Sequence, residues 1–134
     1  MTRSTDDLIA SARRSLTDAA VAHTPQDRYA AAHLAALRAA AAVLASDARP
    51  DGMRGRVRSV WAVLPQVAVE FGEWADFFAA GARKRSAAMA GVPCVTHREA
   101  DDLVRDAEEF LARVCVHLGI AYQAPLIPGL RFVS

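Results

Sequence analysis

The sequence predicts an all-α protein, an up-and-down bundle of about five helices, and three observations carry that prediction. Apolar residues recur at three- and four-residue steps, as in Leu103, Ala107, Phe110, Leu111, Val114 and Leu118. No run alternates with period two, and β-branched residues are scattered. Helix start and stop residues punctuate the pattern: Thr24 before Pro25, Thr96 three residues before Glu99, Gly91 with Pro93, and Gly119.

At 134 residues the chain is one domain, large enough to bury a core without disulfides or metals. Residues 1–120 are assigned to the bundle and 121–134 to a tail. Hydrophobic residues make up 53%, but Ala supplies much of that. Arg or acids interrupt the apolar runs before the ~20 residues of a membrane span, so no membrane is expected. Acids at Asp6 and Asp7 stand where a signal peptide would be apolar, which predicts a cytoplasmic location. Cys94 and Cys115 lack CxxC spacing and read as packing thiols. A net charge of +1 gives no global field for nucleic acid, and no DNA sequence-reading motif is present. Lys84 is the sole Lys, so the abundance of Arg reflects coding bias rather than affinity for RNA.

The first helix begins near Ser4 or Thr5 and runs to about His23, with an apolar line through Leu8, Ile9, Ala12, Leu16, Ala19 and Ala20. A short turn makes the second helix its antiparallel neighbour. That helix spans Thr24 to Asp47, with Thr24 as N-cap, Pro25 at the first helical position and Asp27 on the positive end of the dipole. Tyr29, His33, Ala36, Leu37, Ala40, Val43 and Leu44 form its buried stripe, and the small Ala side chains suit a central position. Pro50, Asp51 and Gly52 mark a reversal. Val57, Val60, Trp61 and Leu64 open a third helix that Pro65 kinks or stops, with Val67 to Phe71 as a continuation after a break. Gly72 separates it from a fourth helix anchored by Trp74, Phe77 and Phe78 and ended at Gly91 and Pro93. Thr96 and Glu99 form a capping box for the fifth helix, which closes at Gly119. Asp101 with Arg105, and Glu109 with Arg113, are spaced as i,i+4 pairs on its solvent side. The tail contains Pro125, Pro128 and Gly129, yet Tyr122, Leu126, Ile127, Leu130 and Phe132 are apolar enough to pack on the bundle or on a second subunit.

Arg28 and His33 form an Arg-x-x-x-x-His pattern. On an ideal helix they lie roughly 140° apart around the axis and about 7.5 Å along it, so they do not share a face. Arg28 reaching toward His33, or two copies pooling their pairs across a dimer axis, would join a phosphate anchor to a proton carrier suited to RNA cleavage without metal. Against that catalytic reading stands a structural one, in which His33 is a hydrogen-bonded core histidine and Arg28 pairs with an acid such as Asp27 or Asp7. Trp61, Trp74, Phe77 and Phe78 either pack the core or line a ligand pocket whose polar group is Glu73 or Asp76. Glu73, Trp74 and Arg38 are the ligand-binding candidates. Arg54, Arg56 and Arg58, Arg83 to Arg85, and His97 with Arg98 read as solvated groups able to touch phosphate. The four His residues are dispersed without metal-ligand spacing and the glycines are isolated, so no metal and no cofactor are expected.

Two segments carry a family resemblance: Asp27-Arg28-Tyr29-Ala30-Ala31-Ala32-His33-Leu34-Ala35-Ala36-Leu37-Arg38, continued by Ala39 to Ala42, and Glu73-Trp74-Ala75-Asp76-Phe77-Phe78-Ala79-Ala80-Gly81. They resemble the HEPN superfamily, and more narrowly an actinobacterial HEPN-like family labelled SAV_6107, up to about Leu118. The resemblance implies a helical bundle, frequent homodimers, and kinship with toxin-type RNases, nucleotidyltransferase partners and inactive binding domains. Arg28 and His33 match the ends of that superfamily's nuclease motif. Tyr29 stands where Asn, Asp or His is usual, and the motif lies on the second helix rather than later. The leading expectation is a non-catalytic homodimeric module for RNA, a nucleotide or a protein partner. The alternatives are a metal-independent endoribonuclease using Arg28 and His33, and a small-ligand site among the aromatics.

Overall fold

The computed structural model describes residues 3–47 and 59–122. Among them lie five α-helices and no strand: α1 Arg3–Val21, α2 Pro25–Asp47, α3 Val60–Val67, α4 Gly72–Met89 and α5 His97–Leu118. A single 3₁₀ turn, Val69–Phe71, joins α3 to α4. The helices form an up-and-down bundle around α2, which packs on all four others.

The start of α2 is fixed as its sequence dictates, the Asp27 amide donating to the Thr24 hydroxyl at 3.1 Å. Ala32, Ala36, Ala39, Ala40 and Ala42 are fully buried along it, and their methyl-sized side chains let neighbouring backbones come close. The same Ala content makes α2 long and apolar enough to cross a membrane by length and composition, contrary to the expectation that every apolar run is too short. In this fold it is a core helix, with more than half of its most apolar stretch buried by its neighbours.

Pro65 does not stop α3. Ser59 caps the helix, which continues to Val67 before the backbone turns extended at Ala68. Gly72, expected as a separator, is the first residue of α4 with right-handed helical angles. Glycine at positive φ ends both remaining helices, Gly91 at 81° after α4 and Gly119 at 71° after α5. The capping box of α5 is complete, Glu99 N donating to Thr96 Oγ1 and Thr96 N to Glu99 Oε1, each at 3.0 Å.

Phe78 and Phe110 meet at the centre, both fully buried, with ring centroids 5.2 Å apart. Trp61 stacks on Phe78 at 5.0 Å, and Phe71 and Trp74 approach Phe110 at 5.6 and 5.4 Å. The aromatics of α3, α4 and the 3₁₀ turn therefore converge on α5. Glu109 and Arg113 pair at 3.1 Å as their spacing predicts. Asp101 and Arg105 do not: Asp101 turns to Arg28, and Arg105 bonds Asp102 instead. Cys94 and Cys115 are free thiols. The Arg54, Arg56 and Arg58 patch and the tail beyond Tyr122 lie outside the described residues.

His117 ties three elements together near the end of α5. Its Nε2 donates to Asp47 Oδ2 at 2.6 Å and its Nδ1 to Glu70 Oε2 at 3.3 Å. Both carboxylates accept, so satisfying both requires the imidazolium. Burial opposes that charge, but the hydrogen bonds to Asp47 and Glu70 outweigh it and raise the pKa above 6.5. A raised folded pKa means that the stabilisation is complete below 6.5 and disappears as pH rises through the folded value. The stability difference between the native chain and His117→Gln is therefore expected to be greatest just below pH 6.5 and to shrink as pH rises through the raised folded pKa. Urea denaturation of both proteins over a pH series that starts just below 6.5 checks this.

Candidate functional site

The α1–α2 turn is only three residues long, which leaves carbonyls at the end of α1 without helical partners. Arg28 lies in the first turn of α2, close enough to satisfy them. Its Nε donates to Ala19 O at 3.1 Å and its Nη2 to Ala22 O at 3.2 Å. Its Nη1 donates to Asp101 Oδ1 of α5 at 2.7 Å. All three guanidinium nitrogens are thus engaged, and one planar fork pins α1, α2 and α5 together.

His33 points elsewhere. It is 1% exposed, with its ring 5.8 Å from Phe78, 6.0 Å from Trp61 and 6.5 Å from Tyr29. Nε2 lies 2.8 Å from the Phe78 carbonyl, and because that oxygen accepts, Nε2 carries the proton. Nδ1 is then a bare lone pair, buried with no hydrogen-bond partner among the described residues. Burial lowers the pKa below 6.5, the Phe78 carbonyl opposes this, and the charge of Arg85 adds to the lowering. His33 is therefore a neutral imidazole of defined tautomer at pH 7.

Beside it opens a cleft of about 230 Å³ lined by Tyr29, His33, Phe77, Phe78, Ala80, Gly81, Lys84 and Leu103. Gly81 makes the close approach of α4 to α2 possible. A Cβ there would sit 2.8 Å from the Tyr29 hydroxyl, so any larger residue would displace the phenol, while the 3.5 Å approach to His33 Cδ2 is an ordinary contact. Burial raises the Tyr29 phenol above 10.0 despite the pull of Lys84, leaving it a neutral donor. Lys84 pairs with Glu99, and that bond, reinforced by Thr96, holds the Glu99 carboxyl at about 2. The cation bordering this cleft is Lys84. Arg28 instead borders a separate hollow of about 230 Å³ with Ala20, Asp101 and Val104.

A third hollow, about 290 Å³, is lined by Glu73, Trp74, Phe77 and Asp106. It unites two of the expected ligand-binding residues, Glu73 and Trp74. Arg38 does not join them; it donates to Ser15 Oγ at 2.9 Å on the α1 side of α2. Trp61 and Phe78 are core residues at 6% and 0% exposure, as their helical spacing also permits. Among the described residues no three His, Cys, Asp or Glu groups cluster as metal ligands. Tyr29, Lys84 and Asp106 were not legible as site residues, although a glycine inside a helical run, Gly81, is the sequence signal of a close helix contact.

The all-helical up-and-down bundle is consistent with a HEPN-like fold, and an Arg-x4-His motif lies on α2. Residues 19–115 match the SAV_6107-like HEPN family model, and the chain belongs to that family. No curated protein and no solved structure matches it.

Proposed function

We propose that this HEPN protein is directed at RNA and that its working cleft is the one beside His33. The observation that carries the proposal is the placing of the motif histidine on the wall of a 230 Å³ cleft that is also lined by Tyr29 and by Lys84, whose ammonium is paired with Glu99. A neutral imidazole, a phenol and a cation are the groups needed to bind a phosphodiester and move a proton from a 2'-hydroxyl. The Arg28-x4-His33 motif and the family favour metal-independent endonucleolytic cleavage as the activity. In that reaction the 2'-oxygen attacks phosphorus as the bond to the 5'-oxygen breaks; His33 takes the 2'-hydroxyl proton and returns it to the leaving 5'-oxygen, Lys84 faces the phosphate, and Arg28 acts by fixing the helices that frame the cleft. Nε2 donates its proton to the Phe78 carbonyl and the accepting lone pair is on buried Nδ1, so proton transfer requires His33 to release that carbonyl and turn Nδ1 to the cleft.

A second reading, binding of RNA or a nucleotide without cleavage, is favoured by the 1% exposure of His33 and its bond to Phe78. The homodimer and the cytoplasmic location expected from the sequence belong to the proposal in either case.

Incubating a mixed RNA pool with the protein in chelator separates the two readings. The expected result is cleavage by the native chain that is lost in His33→Gln and reduced at least about tenfold in Lys84→Ala, with both variants folded. RNA binding without cleavage, weakened in Lys84→Ala, would replace the first reading by the second. Neither binding nor cleavage would remove RNA as the target.

A further inference from the structure

We propose that the hollow formed by Glu73, Trp74, Phe77 and Asp106 is a binding site for a small organic ammonium cation. Two rings and two carboxylates from α4 and α5 line its 290 Å³, an arrangement in which aromatic faces and acids both attract positive charge. The rings are held in advance. Trp74 is set against Phe78 and Phe110 at 6.0 and 5.4 Å, and Phe77 against Phe78 at 5.0 Å. Yet Phe77 remains 47% exposed, although its neighbour Phe78 is fully buried.

The carboxylates are also available. Of the arginines on α5, Arg98 and Arg105 are both directed to Asp102 and Arg113 to Glu109. Among the described residues neither Glu73 nor Asp106 has an ion-pair partner. Burial, and then the nearby negative charge of Asp102, push the Asp106 carboxyl above 3.8 against the opposing charge of Arg105, and a bound cation would act in the same direction as Arg105. The sign of the charge separates this hollow from the cleft beside His33, with which it shares Phe77. Lys84, paired with Glu99, lines that cleft, whereas the acids Glu73 and Asp106 line this hollow and disfavour phosphate. The two sites therefore succeed or fail independently.

The test is an amide NMR titration with choline and, separately, with its uncharged isostere 3,3-dimethylbutan-1-ol. Choline is expected to shift Glu73, Trp74, Phe77 and Asp106 and to bind about tenfold more tightly than the isostere, since the shapes match and only the charge differs. In the double variant Glu73→Gln with Asp106→Asn, choline should lose that advantage while the thermal unfolding midpoint changes little, because Glu73 is exposed, Asp106 is only part-buried and both replacements keep the shape of the side chain. Equal binding of the two probes, unchanged choline affinity in the double variant, or shifts confined to other parts of the bundle would overturn the assignment.

Discussion

His33→Ala is expected to lower the free energy of unfolding by about 2 to 4 kcal/mol, the range for emptying a fully packed site and removing a buried hydrogen bond together. The ring fills the space between Tyr29, Trp61 and Phe78, and its Nε2–H satisfies a lone pair of the Phe78 carbonyl. His33→Phe separates the two contributions. It restores an aromatic ring to a site already lined by rings but cannot donate, so a smaller loss, roughly 1 to 2 kcal/mol, is expected. Urea denaturation at pH 7 measures both. The native chain should also lose part of its stability as pH falls below 6.5, because the lowered folded pKa lets the unfolded state take up the proton first. That acid-side loss should be smaller in His33→Phe. Its persistence at full size in the variant would assign it to other groups.

Arg28→Ala is expected to cost about 1 to 3 kcal/mol, the upper part of what a surface arginine contributes, because two of its bonds satisfy carbonyls at the end of α1. The bond to Asp101 adds less, since that carboxylate is 52% exposed and solvent screens the pair. Arg28→Lys should recover only part of the loss, as one ammonium cannot span three acceptors held by two helices. Asp101→Asn should cost less than Arg28→Ala. The same unfolding measurement on the three variants ranks them, and a larger loss for Asp101→Asn than for Arg28→Ala would contradict this account of the clamp.

The two motif residues show how far the sequence could be read. Their separation around the helix follows from the five-residue spacing, so it was legible that Arg28 and His33 face different ways. The partner of Arg28 was not. Asp27 and Asp7 are near in sequence, but the acid it meets is Asp101, brought there by the packing of α5 against α2. For the same reason the i,i+4 spacing of Asp101 and Arg105 misled, since an interhelical partner took the aspartate first. Elements with local causes were legible in detail: the Thr24 cap, the Thr96–Glu99 box and the Gly119 terminus depend on residues within one turn. Pro65 and Gly72 were harder, because each conformation is settled by how α3 and α4 pack as well as by local preference.

The candidate site divides in the same way. Glu73 and Trp74 could be paired from sequence because they are adjacent on one helix. Lys84 could not be joined to His33, because their proximity depends on Gly81 admitting α4 close to α2. A basic triplet at Arg83 to Arg85 reads as a solvated face, whereas in the fold Lys84 borders the cleft and Arg85 has a buried, unpartnered Nε.

The measurement that tests the central claim most directly is an amide NMR map of the surface contacted by a short single-stranded RNA. Binding in the cleft beside His33 predicts the largest shifts at Tyr29, Phe77, Gly81 and Lys84, reduced in Lys84→Ala. Shifts centred on Arg28, Asp101 and Val104, or spread evenly over the arginines of the surface, would contradict it.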